Sequence, residues 1–271
     1  MKYKIITLLI SIAFITGACS SKNTLPEIYP LKDTPTQGTM PAKLFSDAPD
    51  SLITALGLQD GIPSSVNAFL VKSNGKNILF DAANGAENSQ LVAELAKCGV
   101  TPEQIDLIYL THLHGDHIGG LLKERIAVFP NAELYINKIE YDAWMAMPQE
   151  NTSKLRNTLQ AYKVTTFLPD ESFWQDAESE TAFLKQELPG KVVAIGAYGH
   201  TPGHTIYLIG NNLIAGDFIH GLALQAKYPE FCAAYDMDKN GAVASRKGIL
   251  KMAAEKGLKV YGMHFPVPYC L

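Results

Sequence analysis

The sequence is poor in the features that mark nucleic-acid-binding and disulfide-rich proteins. Of its 271 residues only 4 are cysteines and 18% are charged, and the formal net charge is −4. Lysine and arginine form no dense run, so a surface for a polyanion is not expected and nucleic acid is not a predicted partner. A hydrophobic content of 47% is instead typical of a globular protein, and layered α/β folds of this length often form one domain.

Long hydrophobic runs are also missing, apart from one at the N-terminus. The run from Ile5 to Ile15 follows Lys2 and Lys4 and ends in small residues. Because a membrane-spanning helix needs about 20 apolar residues, this run is too short to be an anchor, and residues 1–18 are typical of an export signal. The predicted destination is the bacterial periplasm or outer membrane.

The residues around Cys19 decide how the exported chain would be held. Small residues ahead of this cysteine resemble the lipobox of bacterial lipoproteins, in which the cysteine is acylated and becomes the new N-terminus. Thr16 stands where that motif usually has leucine, so simple cleavage after Ala18 is the alternative. Residues 19–40, rich in small and polar residues, predict a flexible tether. Residues 41–271 are then the globular domain, anchored to the membrane if Cys19 is acylated.

Three cysteines remain after such processing, at Cys98, Cys232 and Cys270. An oxidising compartment would allow one disulfide among them, and the sequence leaves the pairing open. None has the spacing of a metal site. We expect these residues to be structural or free thiols.

Apolar periodicity predicts strands that precede helices in both halves of the chain. Asn67–Val71 and Asn77–Phe80, joined by the turn dipeptide Asn74-Gly75, predict a hairpin. The apolar segment Leu107–Leu110 predicts a buried strand that leads directly into Thr111–Gly120. This order indicates layered α/β packing. Further strands are expected at Val192–Ile195, Thr205–Ile209, Leu213–Ala215 and Lys259–Met263, and helices at Asn88–Cys98 and Ala242–Glu255.

The segment after the strand at Leu107–Leu110 concentrates groups that bind metals. His112 and His114 are two residues apart, so in an extended backbone they point the same way and can bind one ion. Asp116 and His117 follow, and they can face a second ion nearby. The alternative is that these side chains cap a helix or form hydrogen bonds in a polar loop. Four such groups in six positions would be costly without a ligand, and imidazole and carboxylate suit zinc and related divalent metals.

Four separated motifs occur in an order that resembles a known family. The pattern His-x-His-x-Asp-His at 112–117 is followed by Gly199–His204, Ala215–Asp217 and Gly262–His264. Together they resemble the signature of the metallo-β-lactamase superfamily, over roughly residues 66–266. The resemblance implies an α/β fold, a four-layer αββα sandwich in which two mixed β-sheets are flanked by helices.

The resemblance also implies a dinuclear metal site. His200 rather than His204 matches the family ligand, and His204 is expected to be a strand-start residue with a hydrogen-bonding role. Since Asp217 stands where some zinc β-lactamases have cysteine, a penicillin-type substrate is less expected. The cofactors implied are two divalent ions, with zinc expected. The first would be bound by His112, His114 and His200, the second by Asp116, His117 and His264, and Asp217 would bridge both.

The implied reaction is hydrolysis by a hydroxide shared between the two ions, which attacks a carbonyl carbon or a phosphorus atom. Asp116 is a candidate proton carrier as well as a ligand, and Asp217 is counted with it as catalytic. His220 lies three residues beyond Asp217, where quorum-quenching lactonases commonly have tyrosine. It would hydrogen-bond a leaving group or support the metal shell, and Trp144 would form either a pocket wall or part of the core.

Within the superfamily, Val66–Val71, Gly216–His220 and Ala244–Lys247 are most similar to the methyl parathion hydrolase group. That group includes organophosphate hydrolases and relatives that open lactones. The predicted function is therefore hydrolysis of a small-molecule ester, lactone or phosphotriester. The alternatives are a thioester hydrolase resembling glyoxalase II and a catalytically silent tethered binding protein, although the intact ligand set argues against the second. The oligomeric state stays open, with a homodimer as one option.

Overall fold

The computed structural model describes residues 26–169 and 187–271. The predicted export signal at 1–18, Cys19 and the first residues of the predicted tether lie outside these ranges. Within them, no helix combines the length and the apolar character that crossing a bilayer requires. Cys98, Cys232 and Cys270 are free thiols, which is one of the two alternatives expected for them.

Fifteen strands form within the described residues. In chain order they are β1 (Glu27–Lys32), β2 (Gly38–Met40), β3 (Ile62–Ser64), β4 (Asn67–Ser73), β5 (Lys76–Phe80), β6 (Leu107–Tyr109), β7 (Leu122–Lys123), β8 (Ile126–Ala127), β9 (Glu133–Asn137), β10 (Lys163–Phe167), β11 (Glu187–Leu188), β12 (Val192–Gly196), β13 (Thr205–Ile209), β14 (Asn212–Ile214) and β15 (Lys259–Tyr261).

Seven α-helices accompany these strands in the same part of the chain, together with short 3-10 turns. They are α1 (Asp50–Ala55), α2 (Leu91–Lys97), α3 (Gly115–Ile118), α4 (Lys138–Ala146), α5 (Gln149–Gln160), α6 (Leu222–Gln225) and α7 (Lys239–Lys256), with 3-10 turns at Ala42–Leu44, Pro102–Gln104 and Gly119–Leu121.

The strands form two mixed sheets. The first has the order β1-β4-β5-β6-β9-β10, and the second has the order β11-β12-β13-β14-β15. In the first sheet β5, β6, β9 and β10 are parallel neighbours, whereas β1, β4 and β5 pair antiparallel. In the second sheet β14 and β15 are parallel and the other pairs are antiparallel. Two short pairs, β2 with β3 and β7 with β8, lie apart from both sheets.

Three buried clusters separate the layers. The central cluster joins residues of both sheets, such as Phe80 and Tyr109 of the first and Tyr207 of the second. A second cluster packs the other face of the first sheet against helices α2 and α5, and a third packs the second sheet against α7. Helices therefore cover the outer face of each sheet, and the predicted four-layer αββα sandwich is confirmed.

The predicted flexible tether at 19–40 is wrong over its second half. β1 pairs antiparallel with β4, from Glu27 opposite Lys72 to Lys32 opposite Asn67, and Leu31 is fully buried. Alternate residues of β1 form backbone hydrogen bonds with β4, and Leu31 adds apolar burial. These local gains outweigh a composition that is typical of a linker.

The long helix predicted at Ala242–Glu255 forms as α7, which begins a few residues earlier than expected. Asp238 is the reason, because its side chain accepts a hydrogen bond from the backbone N–H of Gly241 at 3.1 Å and caps the first turn. The helix ends at Gly257, as predicted, in a left-handed conformation with φ of +61°.

A small apolar cluster lies beside the sandwich. It brings Phe45, Ile53 and Ile62 from the segment between β1 and β4 together with Leu224 of α6 and Ala233. The cluster holds β2 and the following 3-10 turn in place next to the loop that follows β15. This segment supplies one wall of the cavity described below.

Candidate metal centre

The predicted metal ligands lie where strands of both sheets end. His112 and Asp116 belong to the segment after β6, Asp217 follows β14 and His264 follows β15, while His200 lies in the loop that precedes β13. The carboxyl ends of the parallel strands meet at one edge of the sandwich. All seven predicted ligands converge there in groups that could hold metal ions.

Three imidazole nitrogens face one another in the first cluster, which consists of His112, His114 and His200. His112 Nε2 lies 2.9 Å from His114 Nδ1, and His200 Nε2 lies 3.1 Å and 3.0 Å from these two atoms. Each nitrogen carries either one proton or one lone pair, so three of them cannot satisfy one another around a triangle. A tetrahedral zinc ion would hold such nitrogens about 3.3 Å apart, which is close to the observed spacing.

The second cluster consists of Asp116, His117, Asp217 and His264. His117 Nε2 lies 3.2 Å from Asp217 Oδ1, and His264 Nε2 lies 3.1 Å from Asp217 Oδ2. Asp116 Oδ2 lies 3.5 Å from His264 Nε2. The Asp217 carboxylate also reaches the first cluster, with Oδ2 3.6 Å from His200 Nε2. Asp217 therefore lies between the two clusters, in the position of a bridging ligand.

Burial and neighbouring charges set the protonation of these groups. Burial, with the nearby imidazoles, holds the pKa of His112 well below its usual range and lowers the pKa of His114 to about 4, so both are neutral, the form that binds metal. Burial raises the pKa of Asp217, but His117 and His264 outweigh it and hold that pKa well below its usual range. Burial in turn lowers the pKa of His264, yet Asp217 raises it to about 10. The second cluster thus attracts a cation, either a proton or a metal.

Two buried atoms of the predicted ligands lack hydrogen-bond partners. They are His117 Nε2 and Asp217 Oδ1, although they lie 3.2 Å apart. A buried polar atom without a partner costs about 1–3 kcal/mol, and native proteins contain few of them. A divalent cation between the two atoms would satisfy both. Imidazoles and carboxylates in this arrangement fit zinc and related divalent metals.

A buried carboxylate orients the imidazole of His117. Asp81 Oδ2 lies 2.9 Å from His117 Nδ1, and Asp81 accepts hydrogen bonds from the backbone N–H and the hydroxyl of Thr111, each at 2.8 Å. Asp81 directly follows β5 and has a φ of +57°, which these bonds stabilise. Because Nδ1 is engaged, His117 presents Nε2 to the second cluster, as in other carboxylate–histidine–metal arrangements.

Two glycines let the turn after α3 lie directly on the chain beyond Asp81. A Cβ atom on Gly119 would meet the carbonyl oxygen of Asn84 at 1.9 Å, and one on Gly120 would meet that of Ala82 at 2.1 Å. Side chains at these positions would push the two segments apart. The contact keeps Asp81 within reach of His117.

A buried ion pair orients His200 in the same way. Asp236 Oδ1 lies 3.1 Å from His200 Nδ1, and Asp236 Oδ2 accepts from Arg246 Nη2 at 3.0 Å. Arg246 is completely buried and also donates to the carbonyls of Phe218 and Pro229. The guanidinium neutralises the carboxylate, and together they fix the ring that presents Nε2 to the first cluster.

His204 accepts a hydrogen bond from the backbone of Asp217, the predicted bridging residue. Its Nε2 accepts a hydrogen bond from the backbone N–H of Asp217 at 3.0 Å, and its Nδ1 lies 3.2 Å from the carbonyl oxygen of Ala197. Both ring nitrogens are therefore engaged, and His204 lies directly before β13. This arrangement agrees with the hydrogen-bonding role that the sequence predicted for it.

His220 lies inside the centre. Its Nε2 is 3.3 Å from Asp217 Oδ2, its Nδ1 has no hydrogen-bond partner, and its ring stacks on that of His264 with centroids 5.5 Å apart. With His200 and Asp217 it forms a third group of donors close enough to hold a cation. His220 thus contacts both clusters through the bridging aspartate.

Of the two roles that the sequence left open, pocket wall or core, Trp144 takes the core role. Its ring meets His114 edge-to-face at 5.6 Å, and it is half-buried against the core between the first sheet and its helices. It is not among the described residues that line the cavity. Trp144 therefore contacts the first cluster from the protein core and not from the cavity.

Five residues of the centre were missed by sequence reasoning: Asp81, Glu140, Tyr235, Asp236 and Arg246. Asp81 alone had a signal, because it is an acid directly after a buried strand, as the predicted ligands are. The other four reach the centre only through contacts between segments distant in sequence. No local pattern indicates such contacts.

The two clusters form the floor of an open cavity of about 400 Å³. Met40 and Tyr235 stand at its rim, on the side of the small apolar cluster. The described lining residues are Met40, His114, Gly115, Asp116, His200, Asp217, His220, Tyr235 and His264.

Comparison with known proteins agrees with this architecture. The structure of AidC, a dizinc quorum-quenching lactonase in complex with the product N-hexanoyl-L-homoserine, superposes with a TM-score of 0.76 at 27% identity, covering 92% of this chain and 90% of that chain. The hydrolase AbOPH of the beta-lactamase superfamily gives a TM-score of 0.71 at 27% identity, covering 90% and 89%. Ribonuclease Z of Clostridioides difficile is 43% identical over 74 residues, which is 26% of this chain and only 22% of that protein.

A family model gives the assignment. Residues 61–264 match the model of the metallo-beta-lactamase superfamily, and this range contains all four motifs and both donor clusters. The chain belongs to the metallo-beta-lactamase superfamily.

Proposed function

We propose that this metal-dependent hydrolase opens lactones, or cleaves related ester or phosphotriester bonds, in small uncharged molecules, and that it uses two divalent cations, with zinc preferred. The position of Asp217 carries the proposal, because its carboxylate lies between two clusters of metal-binding side chains at the floor of an open cavity. The similarity to AidC, described as a dizinc lactonase, supports lactones as the first substrates to test.

The cavity favours a small neutral substrate. Its volume of about 400 Å³ lies within the range of about 300–1,000 Å³ that is usual for small-molecule sites. Its described lining contains no lysine or arginine, so the cationic contacts on which nucleic-acid binding depends are missing there. The partial similarity to ribonuclease Z therefore does not lead us to propose RNA cleavage.

A second cavity of about 420 Å³ adjoins the first and shares Met40, Tyr235 and His264 with it. Apart from His264, the described residues along it are uncharged and include Pro35, Leu44 and several threonines and serines. A substrate whose reactive bond lies at Asp217 can extend an uncharged arm past Met40 and Tyr235 into this space. This arrangement favours substrates with an acyl or alkyl arm over compact ones.

Two divalent cations held by these residues would lower the pKa of a shared water toward neutrality and polarise the scissile bond. The residues of the chain have separable roles in that reaction. Asp217 holds the two clusters at a fixed separation. Asp116 lines the cavity with a side chain that is 34% exposed, so it is placed to accept a proton from the nucleophile and return it to the leaving group.

We assign His220 to the positioning of Asp217. Its Nε2 faces Asp217 Oδ2 at 3.3 Å, and its contact with His264 restricts the ring. A role in holding the leaving group would require the ring to turn away from the carboxylate. The side chain is 1% exposed and packs against the rings of His200 and His264, so it has little room to do so.

Turnover of a substrate panel tests the proposal. Protein loaded with zinc is assayed against N-acyl homoserine lactones of short and long acyl chain, an aryl ester, a phosphotriester and a thioester, before and after chelation. We expect kcat/KM to be highest for lactones with a longer acyl arm, activity to disappear with the chelator, and zinc to restore it. Preference for the thioester would favour a function resembling glyoxalase II. Failure to turn over any of the substrates, with both metals bound, would refute the hydrolase proposal.

A further inference from the structure

A buried carboxylate outside the metal ligands receives hydrogen bonds from three separate segments. Glu140 is 1% exposed. Its Oε1 accepts from the backbone N–H of Leu113 at 3.0 Å and from the indole N–H of Trp144 at 2.7 Å, and its Oε2 accepts from the backbone N–H of Gly203 at 2.8 Å. Leu113 lies between His112 and His114 in the sequence. One side chain thus binds the loop of two first-cluster ligands and the loop that carries the third.

No lysine or arginine within the described ranges forms an ion pair with Glu140, so the three N–H donors are its principal partners. Burial raises the pKa of Glu140, and the hydroxyl of Thr201 together with these donors opposes the rise. Glu140 is also the third residue of α4, whose N-cap is Asn137. A glutamate at that position commonly turns back to the N-cap backbone as a capping box. Here the carboxylate faces the metal-bearing loops instead.

The start of α4 contacts the loop that carries His200 at two further points. Asn137 Nδ2 donates to the carbonyl of Gly203 at 2.8 Å, while Asn137 Oδ1 accepts from Ile139 N–H and caps the helix. A Cβ atom on Gly203 would lie 2.2 Å from the backbone nitrogen of Glu140, so only glycine allows this approach. The backbone of the loop after His200 is therefore held directly against the first turn of α4.

We propose that Glu140 is a positioning residue for the first metal: its two carboxylate oxygens hold the loop of His112 and His114 against the loop of His200 and thereby set the separation of the three imidazole nitrogens. The inference rests on the proposed metal function. A second effect follows from the bond to the indole, because Trp144 packs edge-to-face on His114 and limits the rotation of that ring.

Replacement of Glu140 by glutamine tests this role with little change in shape. Glutamine offers only one acceptor oxygen, so whichever way its amide turns, an NH₂ group faces the N–H of one loop. The matched control is Glu150→Gln, since Glu150 is an exposed glutamate in the first turn of the neighbouring helix α5. Each change is made in two backgrounds, His264→Ala to impair the second cluster and His114→Ala to impair the first.

Zinc affinity is then measured by competition with a chromophoric chelator, and hydrogen exchange of the Leu113 and Gly203 amides is measured in the metal-free protein. In the His264→Ala background we expect Glu140→Gln to weaken zinc binding by about tenfold or more. In the His114→Ala background the change should stay within about threefold, and Glu150→Gln should have no effect in either. At least one of the two amides should exchange faster in metal-free Glu140→Gln.

A purely structural role for Glu140 would lower the melting temperature but alter zinc affinity equally in both backgrounds, and this result would overturn the inference. If Glu140→Gln does not fold, Glu140→Asp, which withdraws the carboxylate by one methylene, is measured against the same criterion. Failure of the unaltered protein to bind two zinc ions would count against the proposed function. Two bound ions with no selective effect of Glu140 would refute the positioning role alone.

Discussion

Replacement of Asp217 by asparagine isolates the charge of the bridging group from its shape. The carboxylate lies 3.2 Å from His117 Nε2, 3.1 Å from His264 Nε2 and 3.6 Å from His200 Nε2, and it is 2% exposed. Asparagine fits the same space but offers one neutral oxygen in place of a shared negative charge. Two cations would then face each other across a neutral group.

The size of the effect follows from burial. Removing one partner of a buried ionic interaction costs about 3–5 kcal/mol, and each 1.4 kcal/mol corresponds to a tenfold change in affinity. We therefore expect Asp217→Asn to weaken the binding of at least one zinc ion by between about two and four orders of magnitude. Turnover should fall with it, because the proposed reaction uses both ions.

Zinc content after gel filtration and chelator competition measure this change, and circular dichroism checks that the fold is retained. Asp142→Asn is the matched control, since Asp142 is an exposed aspartate on α4 paired with Lys138, and exposed pairs of this kind contribute little. Retention of two ions by Asp217→Asn, with affinities within about tenfold of the unaltered protein, would show that Asp217 does not bridge them.

Three further changes test the surroundings of the centre. His204→Ala should keep both zinc ions but lower the free energy of unfolding by about 1–3 kcal/mol, because the N–H of Asp217 loses its acceptor; loss of one ion would show that His204 is a ligand. Arg246→Met should destabilise the protein in denaturant titrations by about 3–5 kcal/mol, and combining it with Asp236→Asn should recover part of that loss, whereas additive losses would argue against a coupled pair. As the pH falls, zinc should leave the second cluster before the first, because protons compete for His264, whose pKa is raised to about 10, well before they compete for His114, whose pKa is lowered to about 4; loss of the first-cluster ion ahead of the second would contradict this order.

The sequence was sufficient to identify the candidate ligands because each lies in a short motif close to a strand end. His112, His114, Asp116 and His117 lie within six consecutive positions, and the strand before them is a continuous apolar run. Local periodicity therefore predicted layered α/β packing, and the resemblance carried by the four motifs supplied the four-layer fold and the pair of donor clusters.

Residues that act through tertiary contacts could not be found in this way. Glu140 reaches Gly203 across 63 positions and Asp236 reaches His200 across 36, and both read locally as ordinary helix-start or loop residues. β1 was missed for a related reason. The stretch around it is rich in the polar residues and prolines that are typical of a linker, and only pairing with β4 reveals the strand.

In the loop after α6, neighbouring residues have two different roles. Tyr235 borders both cavities. The next residue, Asp236, orients the imidazole of His200, a predicted metal ligand. Met237 N–H donates to the carbonyl of His200 at 3.2 Å. Substitutions that change substrate preference and also shift this stretch of backbone will therefore alter the affinity for the metal ions. Laboratory evolution toward bulkier substrates should therefore accept new side chains at Tyr235 readily, while insertions or deletions beside it should be selected against.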